Sequence, residues 1–306
     1  MFVLFIIVLV GPRVEIETGL QPLNLPPDID RYLADSETAF NDIVPGAEKI
    51  ILWAGEVGVS TPLSVVYFHG FSATRQETAP LSEMVAKQLG ANLFYTRFTG
   101  HGRSGEAMLD GSVNAWLNDA YEALKIGQRL GERVVVIGIS TGGTIATWLA
   151  TQPMNEHVAA FILISPNFAP ADHRTILLLW PWGGNIAEFL IGPVRSWEPH
   201  NTRHGQYWTN RYPTRALLPM MGLVNLTNSL DLGVIEAPVL VVYSPEDRVI
   251  STAAIETAFT TIGSPRKRLV SYADADDPDQ HVLAGDILSP NSTEEIAKMI
   301  VDFVIN

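Results

Sequence analysis

The chain has 306 residues, 47% hydrophobic and 17% charged, which is the composition of a folded globular protein and excludes a disordered or fibrous one. Its formal net charge of −13, without any basic run, argues against nonspecific binding to nucleic acid, which needs clustered Lys and Arg. The absence of cysteine excludes disulfides, thiolate catalysis and Cys-based zinc sites. One domain of about 200 to 250 residues with an insertion fits this length.

The first ten residues are continuously apolar. They are too few to span a bilayer, which takes about 20 residues, and they lack the charged start and small-residue cleavage site of a secretory signal. We interpret residues 1–14 as the remnant of a membrane anchor or signal-like segment; a buried or swapped strand is the alternative. A true anchor would associate the protein with the membrane or cell envelope, and otherwise we expect it in the cytoplasm. Residues 15–45 are expected to form a linker with a short helical stretch near 28–40.

Strand and helix patterns then alternate along the chain, which is typical of a parallel sheet covered on both faces. Apolar runs predict strands, and 3.6-residue spacing or capping residues predict helices. The predicted strands are 50–53, 63–68, 92–98, 134–139, 159–164, 238–243 and 268–272, and the predicted helices are 81–89, 113–130, the stretch after 140, 251–262 and 292–304, the last opened by a capping box at Ser292. The predicted core comprises residues 46–166 and 231–306.

Residues 167–230 interrupt this alternation. They contain several prolines, four of the seven tryptophans and no convincing strand, so we predict a helical cap over the carboxyl edge of the sheet. Five arginines against three acids give the cap a local charge of +2. Either these arginines recognise an anionic group of the substrate or product, or they hold the cap onto an acidic body. The tryptophans favour an apolar acyl or aromatic substrate.

The strand 134–139 runs directly into Gly138-x-Ser140-x-Gly142 and then into an apolar helical stretch. This context is typical of a nucleophile elbow, in which small residues let the backbone bend tightly enough to present a serine hydroxyl. Ser140 is therefore the predicted nucleophile. The alternative is that Ser140 is an ordinary helix N-cap.

Serine needs a base that is itself oriented by a third group. Among the seven histidines we select His281, because it lies in the loop after the last predicted strand. Asp247 follows the strand 238–243 directly and is the predicted orienting acid, with Glu246 as its nearest competitor. The expected oxyanion donors are the backbone N–H groups of Thr141, just after the nucleophile, and of Phe71, in the loop after the strand 63–68.

These motifs resemble the α/β-hydrolase superfamily, and within it the bacterial carboxylesterase and monoacylglycerol-lipase-like group. The resemblance rests on His69-Gly70-Phe71, on Gly100-His101-Gly102-Arg103-Ser104, on the elbow, and on the chain order Ser140, Asp247, His281. It covers roughly residue 63 to the C-terminus outside the predicted cap, and it implies an α/β fold with a mostly parallel sheet and two-step hydrolysis of a small-molecule ester through an acyl-enzyme, without cofactor.

Other readings remain open. A peptidase, thioesterase or acyltransferase on the same triad is the first alternative, although His69-Gly70-Phe71-Ser72 departs from the His-Gly-Gly-Pro of proline aminopeptidases. A noncatalytic hydrolase-like binding protein is the second. We expect no metal site, because the acidic run 274–279 lacks EF-hand spacing and is interpreted as a solvated loop. The oligomeric state is not predicted.

Overall fold

The computed structural model describes residues 11–306, and a seven-stranded sheet lies at its centre. The strands of this sheet are β1 (Ile50–Leu52), β2 (Thr61–Phe68), β3 (Asn92–Tyr95), β4 (Gly131–Ile139), β5 (Val158–Ile164), β8 (Val239–Tyr243) and β9 (Lys267–Ser271). Their order across the sheet is β1-β3-β2-β4-β5-β8-β9; β1 pairs antiparallel with β3, and all the other pairs are parallel. β4, which leads to Ser140, is the middle strand.

Helices cover both faces of the sheet, as predicted. They are α1 (Ile29–Glu37), α2 (Leu81–Leu89), α3 (Val113–Leu130), α4 (Thr141–Ala150), α5 (Gly183–Ile191), α6 (Thr202–Tyr207), α7 (Leu217–Asn228), α8 (Thr252–Thr261) and α9 (Thr293–Ile305). Side chains of β4 alternate between two apolar clusters: Val134 and Val136 pack with α3, α4 and α7, whereas Val135 and Ile137 pack with α2 and α9. This two-sided burial explains why β4 is a continuous apolar run.

The stretch predicted as a linker is packed against the body. Ile29 and Leu33 of α1 join the larger cluster. Glu37, at the end of α1, accepts a hydrogen bond from the Arg97 guanidinium at 2.8 Å, and this ion pair is almost completely buried. Residues 1–10 lie outside the described residues, so the interpretation of that part of 1–14 as an anchor remains a prediction. Within 11–306, no helix combines the length and hydropathy needed to cross a bilayer.

Residues 167–230 form a mainly helical insertion that contains α5, α6 and α7. The prediction that this insertion lacks strands was wrong, because β6 (Val194–Ser196) and β7 (Arg211–Pro213) form an antiparallel pair with Arg195 opposite Tyr212. A three-residue strand is too short to display an alternating pattern, which explains why the sequence did not indicate it.

Two further details differ from the prediction. Ser292 does not form a capping box: its backbone is helical, and its hydroxyl donates to the Leu283 carbonyl at 2.6 Å. β3 ends at Tyr95 rather than at residue 98. The Phe98 N–H donates instead to Nε2 of His69 at 3.1 Å, which links this segment to the loop after β2.

Candidate active site

Ser140 lies in the sharp turn between β4 and α4. Its φ of 51° is unusual for a residue with a side chain, and its hydroxyl forms no cap hydrogen bond, which disfavours the reading of Ser140 as an ordinary N-cap. Such strain is typical of functional sites. The turn requires glycine two residues later, because a Cβ at Gly142 would stand 2.2 Å from the Phe68 carbonyl oxygen. The local sequence thus exposes one side chain, Ser140, at the wall of a cavity.

His281 and Asp247 come together from two separate loops. Nδ1 of His281 lies 2.7 Å from Oδ2 of Asp247, whose carboxylate is completely buried. The other oxygen of Asp247 accepts the N–H groups of Val249 and Ile250 at 2.8 and 3.0 Å. The carboxylate is therefore fixed, and it favours the tautomer in which Nδ1 carries the proton and Nε2 is left to accept one. His281 lines the same cavity as Ser140.

Three carboxylates influence the His281 ring. Burial by itself lowers the pKa of His281, but Asp247, and after it Glu77 and Asp277, outweigh burial and raise the pKa above its ordinary value of 6.5. The carboxylates around His281 thus favour its protonated, imidazolium form. Glu77 was not identified from the sequence, because a polar residue in a loop is ordinarily solvated.

Asp277 corrects the interpretation of 274–279 as a solvated loop. Its side chain is buried, and Oδ2 accepts the N–H groups of His281 and Val282 at 3.0 and 2.8 Å. Oδ1 accepts the N–H of Asp279 at 3.2 Å. Atoms of Asp277, Asp279 and His200 that could ligate a metal ion lie within 4.8 Å of one another. However, both carboxylate oxygens of Asp277 already accept hydrogen bonds from backbone N–H groups. Asp277 therefore shapes the loop that carries His281.

The two predicted oxyanion donors belong to segments that lie next to the nucleophile. Thr141 is the first residue of α4, so its N–H has no intrahelical partner. Within residues 11–306, the Phe71 N–H likewise donates to no protein acceptor. A Cβ at Gly70 would lie 3.3 Å from that of Ser140, so the loop that contains Phe71 runs directly beside the nucleophile. Both groups remain predicted donors.

The cavity has a volume of about 540 Å³, which is within the range of small-molecule sites. The loops at the carboxyl edge of the sheet form one side of it, and the insertion forms the other. Its apolar walls include Phe71, Leu178, Trp197, Trp208, Tyr212, Leu217, Met220, Val249, Ile250, Val282 and Leu288. Two of the four cap tryptophans, Trp197 and Trp208, therefore face the site.

Within residues 11–306, no ion pair joins an arginine of the insertion to the rest of the protein. Arg174 pairs with Asp172 and Arg215 pairs with Glu188, and all four belong to the insertion. The interpretation that these two arginines hold the cap onto an acidic body is therefore wrong. Arg195 lines the cavity. The other interpretation, in which one of the five arginines recognises an anionic group of the substrate or product, requires an arginine in this position.

His101 stands close to the site but lacks the properties of a base. Its ring is buried between Phe71 and Trp116, and burial lowers the pKa of His101 to about 4. It stays neutral and contributes to packing, consistent with its assignment to a structural turn.

Comparison with known proteins identifies the family. Residues 61–276 match the model of a family described as serine aminopeptidase, S33, and the chain belongs to that family. It is 28% identical over 228 residues, 74% of this chain and 85% of the relative, to a thermostable monoacylglycerol lipase of Bacillus sp. (strain H-257).

Solved structures share the fold. One metagenome-derived lipolytic structure, from work on LipS and LipT, has a TM-score of 0.68 at 21% identity and covers 86% of this chain and 99% of its own. The monoacylglycerol lipase of Paleococcus ferrophilus has a TM-score of 0.61 at 15% identity and covers 84% and 97%. The α/β-hydrolase fold predicted from the motifs is thus confirmed.

Proposed function

We propose that this member of the serine aminopeptidase S33 family is a serine hydrolase that cleaves small carboxylic esters through an acyl-enzyme. One observation carries the proposal: the 2.7 Å contact between His281 and the fully buried carboxylate of Asp247, where His281 lines the same cavity as Ser140. Serine hydrolysis needs this set of groups, whereas a binding module has no need of all three.

In the proposed reaction, the Ser140 hydroxyl attacks the ester carbonyl and His281 takes its proton through Nε2. The tetrahedral oxyanion accepts hydrogen bonds from the N–H groups of Phe71 and Thr141. His281 then returns the proton to the leaving alcohol, and water releases the acyl group by the same steps. Asp247 stabilises the imidazolium throughout.

The cavity fits an apolar acyl group, because tryptophan, leucine and methionine side chains form part of its wall, beside polar and charged ones. The relative from Bacillus is named a monoacylglycerol lipase, which makes a monoacylglycerol a reasonable first natural substrate to test. The family description keeps a peptidase that uses the same proposed triad as the second candidate.

The test is hydrolysis of p-nitrophenyl esters from acetate to laurate, of a monoacylglycerol, and of aminoacyl p-nitroanilides. We expect the wild-type protein to cleave the esters, and we expect Ser140→Ala to lose at least about 10³-fold in turnover with an unchanged thermal unfolding midpoint. Asp247→Asn should lose a comparable factor because the imidazole would adopt the wrong tautomer. An active, folded Ser140→Ala protein would refute the mechanism, and turnover of anilides alone would favour the peptidase.

A further inference from the structure

Glu77 is a buried carboxylate beside the proposed site to which the reaction above gives no role. It is 2% exposed, and it lines the same cavity as Ser140 and His281. It belongs to the loop between β2 and α2, a part of the chain without regular structure. A buried acid normally requires a specific partner, because burial penalises its charge.

The partner of Glu77 is the backbone next to the predicted oxyanion donor. Oε2 of Glu77 accepts the Gly70 N–H at 2.7 Å. A Cβ at Gly70 would stand 2.7 Å from Oε1 of Glu77 and 3.3 Å from Cβ of Ser140, so Gly70 lies between the carboxylate and the nucleophile. A side chain at position 70 would therefore displace the Glu77 carboxylate from this arrangement.

The carbonyl side of Gly70 is held as well. His69 Nε2 accepts the Phe98 N–H, so Nδ1 carries the ring proton and donates to the Gly70 oxygen at 2.9 Å. Since a peptide unit is planar, the direction of the Gly70 carbonyl sets the opposite direction of the Phe71 N–H. Glu77 and His69 together fix the two peptide units on either side of Gly70, and thereby the donor that follows.

Glu77 also packs against the segment that carries His281. A Cβ at Gly285 would meet the Glu77 carbonyl oxygen at 2.8 Å, and the Asp286 N–H donates to the Ala79 carbonyl at 2.9 Å. The loop after β2 that carries Phe71, here called the oxyanion loop, and the segment that carries His281 therefore meet at Glu77.

We propose that Glu77 is a positioning residue of the hydrolytic site: its carboxylate holds the Gly70 amide behind the oxyanion loop, and its charge stabilises the imidazolium form of His281. This inference rests on the proposed function. The charge on Glu77 is sensitive to pH, because burial raises the pKa of Glu77 to about 7 against the lowering effects of the Gly70 amide and of His281. The titratable groups that act on Glu77 are Tyr67, His281 and Asp277, and those that act on His281 are Asp247, Glu77 and Asp277.

Glu77→Gln separates the two roles, because the amide oxygen can still accept the Gly70 N–H whereas the charge is lost. Without that charge the His281 ring releases its proton more readily. We expect the acid limb of the kcat/KM profile to move down by about 0.5 to 1 pH unit and kcat to fall about 3- to 10-fold, with a smaller change in KM. Glu83→Gln is the matched control: Glu83 accepts a hydrogen bond from the Tyr95 hydroxyl, away from the cavity, and its loss should leave the profile unchanged.

A titration that needs no turnover separates this inference from the proposed function. The His281 ring resonance, assigned by its loss in His281→Gln, is followed by NMR from pH 5 to 9 in wild type and in Glu77→Gln. A lower pKa in the variant supports the inference even if no ester is cleaved, and an unchanged pKa in a folded variant overturns it.

If Glu77→Gln does not fold, the same titration of His281 in Tyr67→Phe tests the inference. The Tyr67 hydroxyl lies 3.4 Å from Oε2 of Glu77, so its removal makes Glu77 easier to protonate. The pKa of His281 should then fall by a smaller amount in the same direction, and no change would overturn the inference.

Discussion

The loop that carries His281 depends on one buried carboxylate, so Asp277→Ala should destabilise the protein far more than an ordinary loop substitution. The change removes the acceptor for three backbone N–H groups, those of Asp279, His281 and Val282. The last two are buried, and each buried donor left without a partner costs about 1 to 3 kcal/mol. We therefore expect the free energy of unfolding to fall by roughly 2 to 6 kcal/mol.

The free energy of unfolding of Asp277→Asn should lie between those of Asp277→Ala and wild type. One side-chain oxygen of the asparagine can still accept both buried N–H groups, but without a charge. We expect a loss of about 1 to 2 kcal/mol. The measurement is urea denaturation at pH 7, followed by tryptophan fluorescence. Asp274→Asn, an exposed position in the same loop, controls for the change in net charge and should stay within about 0.5 kcal/mol of wild type. If Asp277→Ala were as stable as Asp274→Asn, the reasoning would be refuted.

Two further substitutions test the support around the site. Arg97→Leu leaves Glu37 buried without its partner and should lower the free energy of unfolding by about 3 to 5 kcal/mol. Adding Glu37→Leu should recover part of this loss in thermal or chemical unfolding. Equal stability of the single and double variants would contradict this reasoning. Gly142→Ala places a Cβ 2.2 Å from a carbonyl oxygen at the end of β2, so both the unfolding midpoint and ester turnover should drop, the latter at least about 10²-fold. Gly55→Ala, where a Cβ meets nothing within 4 Å, is the control and should behave as wild type.

Features set by local sequence were predictable. The elbow at Ser140 follows from a β-branched run that ends in small residues, and the order of strands and helices follows from apolar periodicity. Asp247 and His281 could be selected because each follows a strand of a parallel sheet, and the carboxyl ends of such strands share one edge.

Features set by packing between distant segments were not predictable. Glu77 and Asp277 are polar loop residues, and nothing near them in sequence indicates that they are buried. Their burial comes from contacts such as that between Gly285 and the backbone of 77–78, which joins segments about 200 residues apart. The strands β6 and β7 were missed for a related reason, because each is stabilised by the other and too short to have a pattern of its own.

The start of the described chain is fastened to the insertion rather than to the sheet. The Trp182 N–H donates to the Pro12 carbonyl at 2.8 Å, and a Cβ at Gly222 of α7 would touch Val14 at 2.8 Å. Further along, Gly19 accepts a hydrogen bond from Asn114 of α3 in the body. Residues 11–19 thus connect the insertion to the body, so moving the insertion away from the body would require breaking the contacts at one end of this segment.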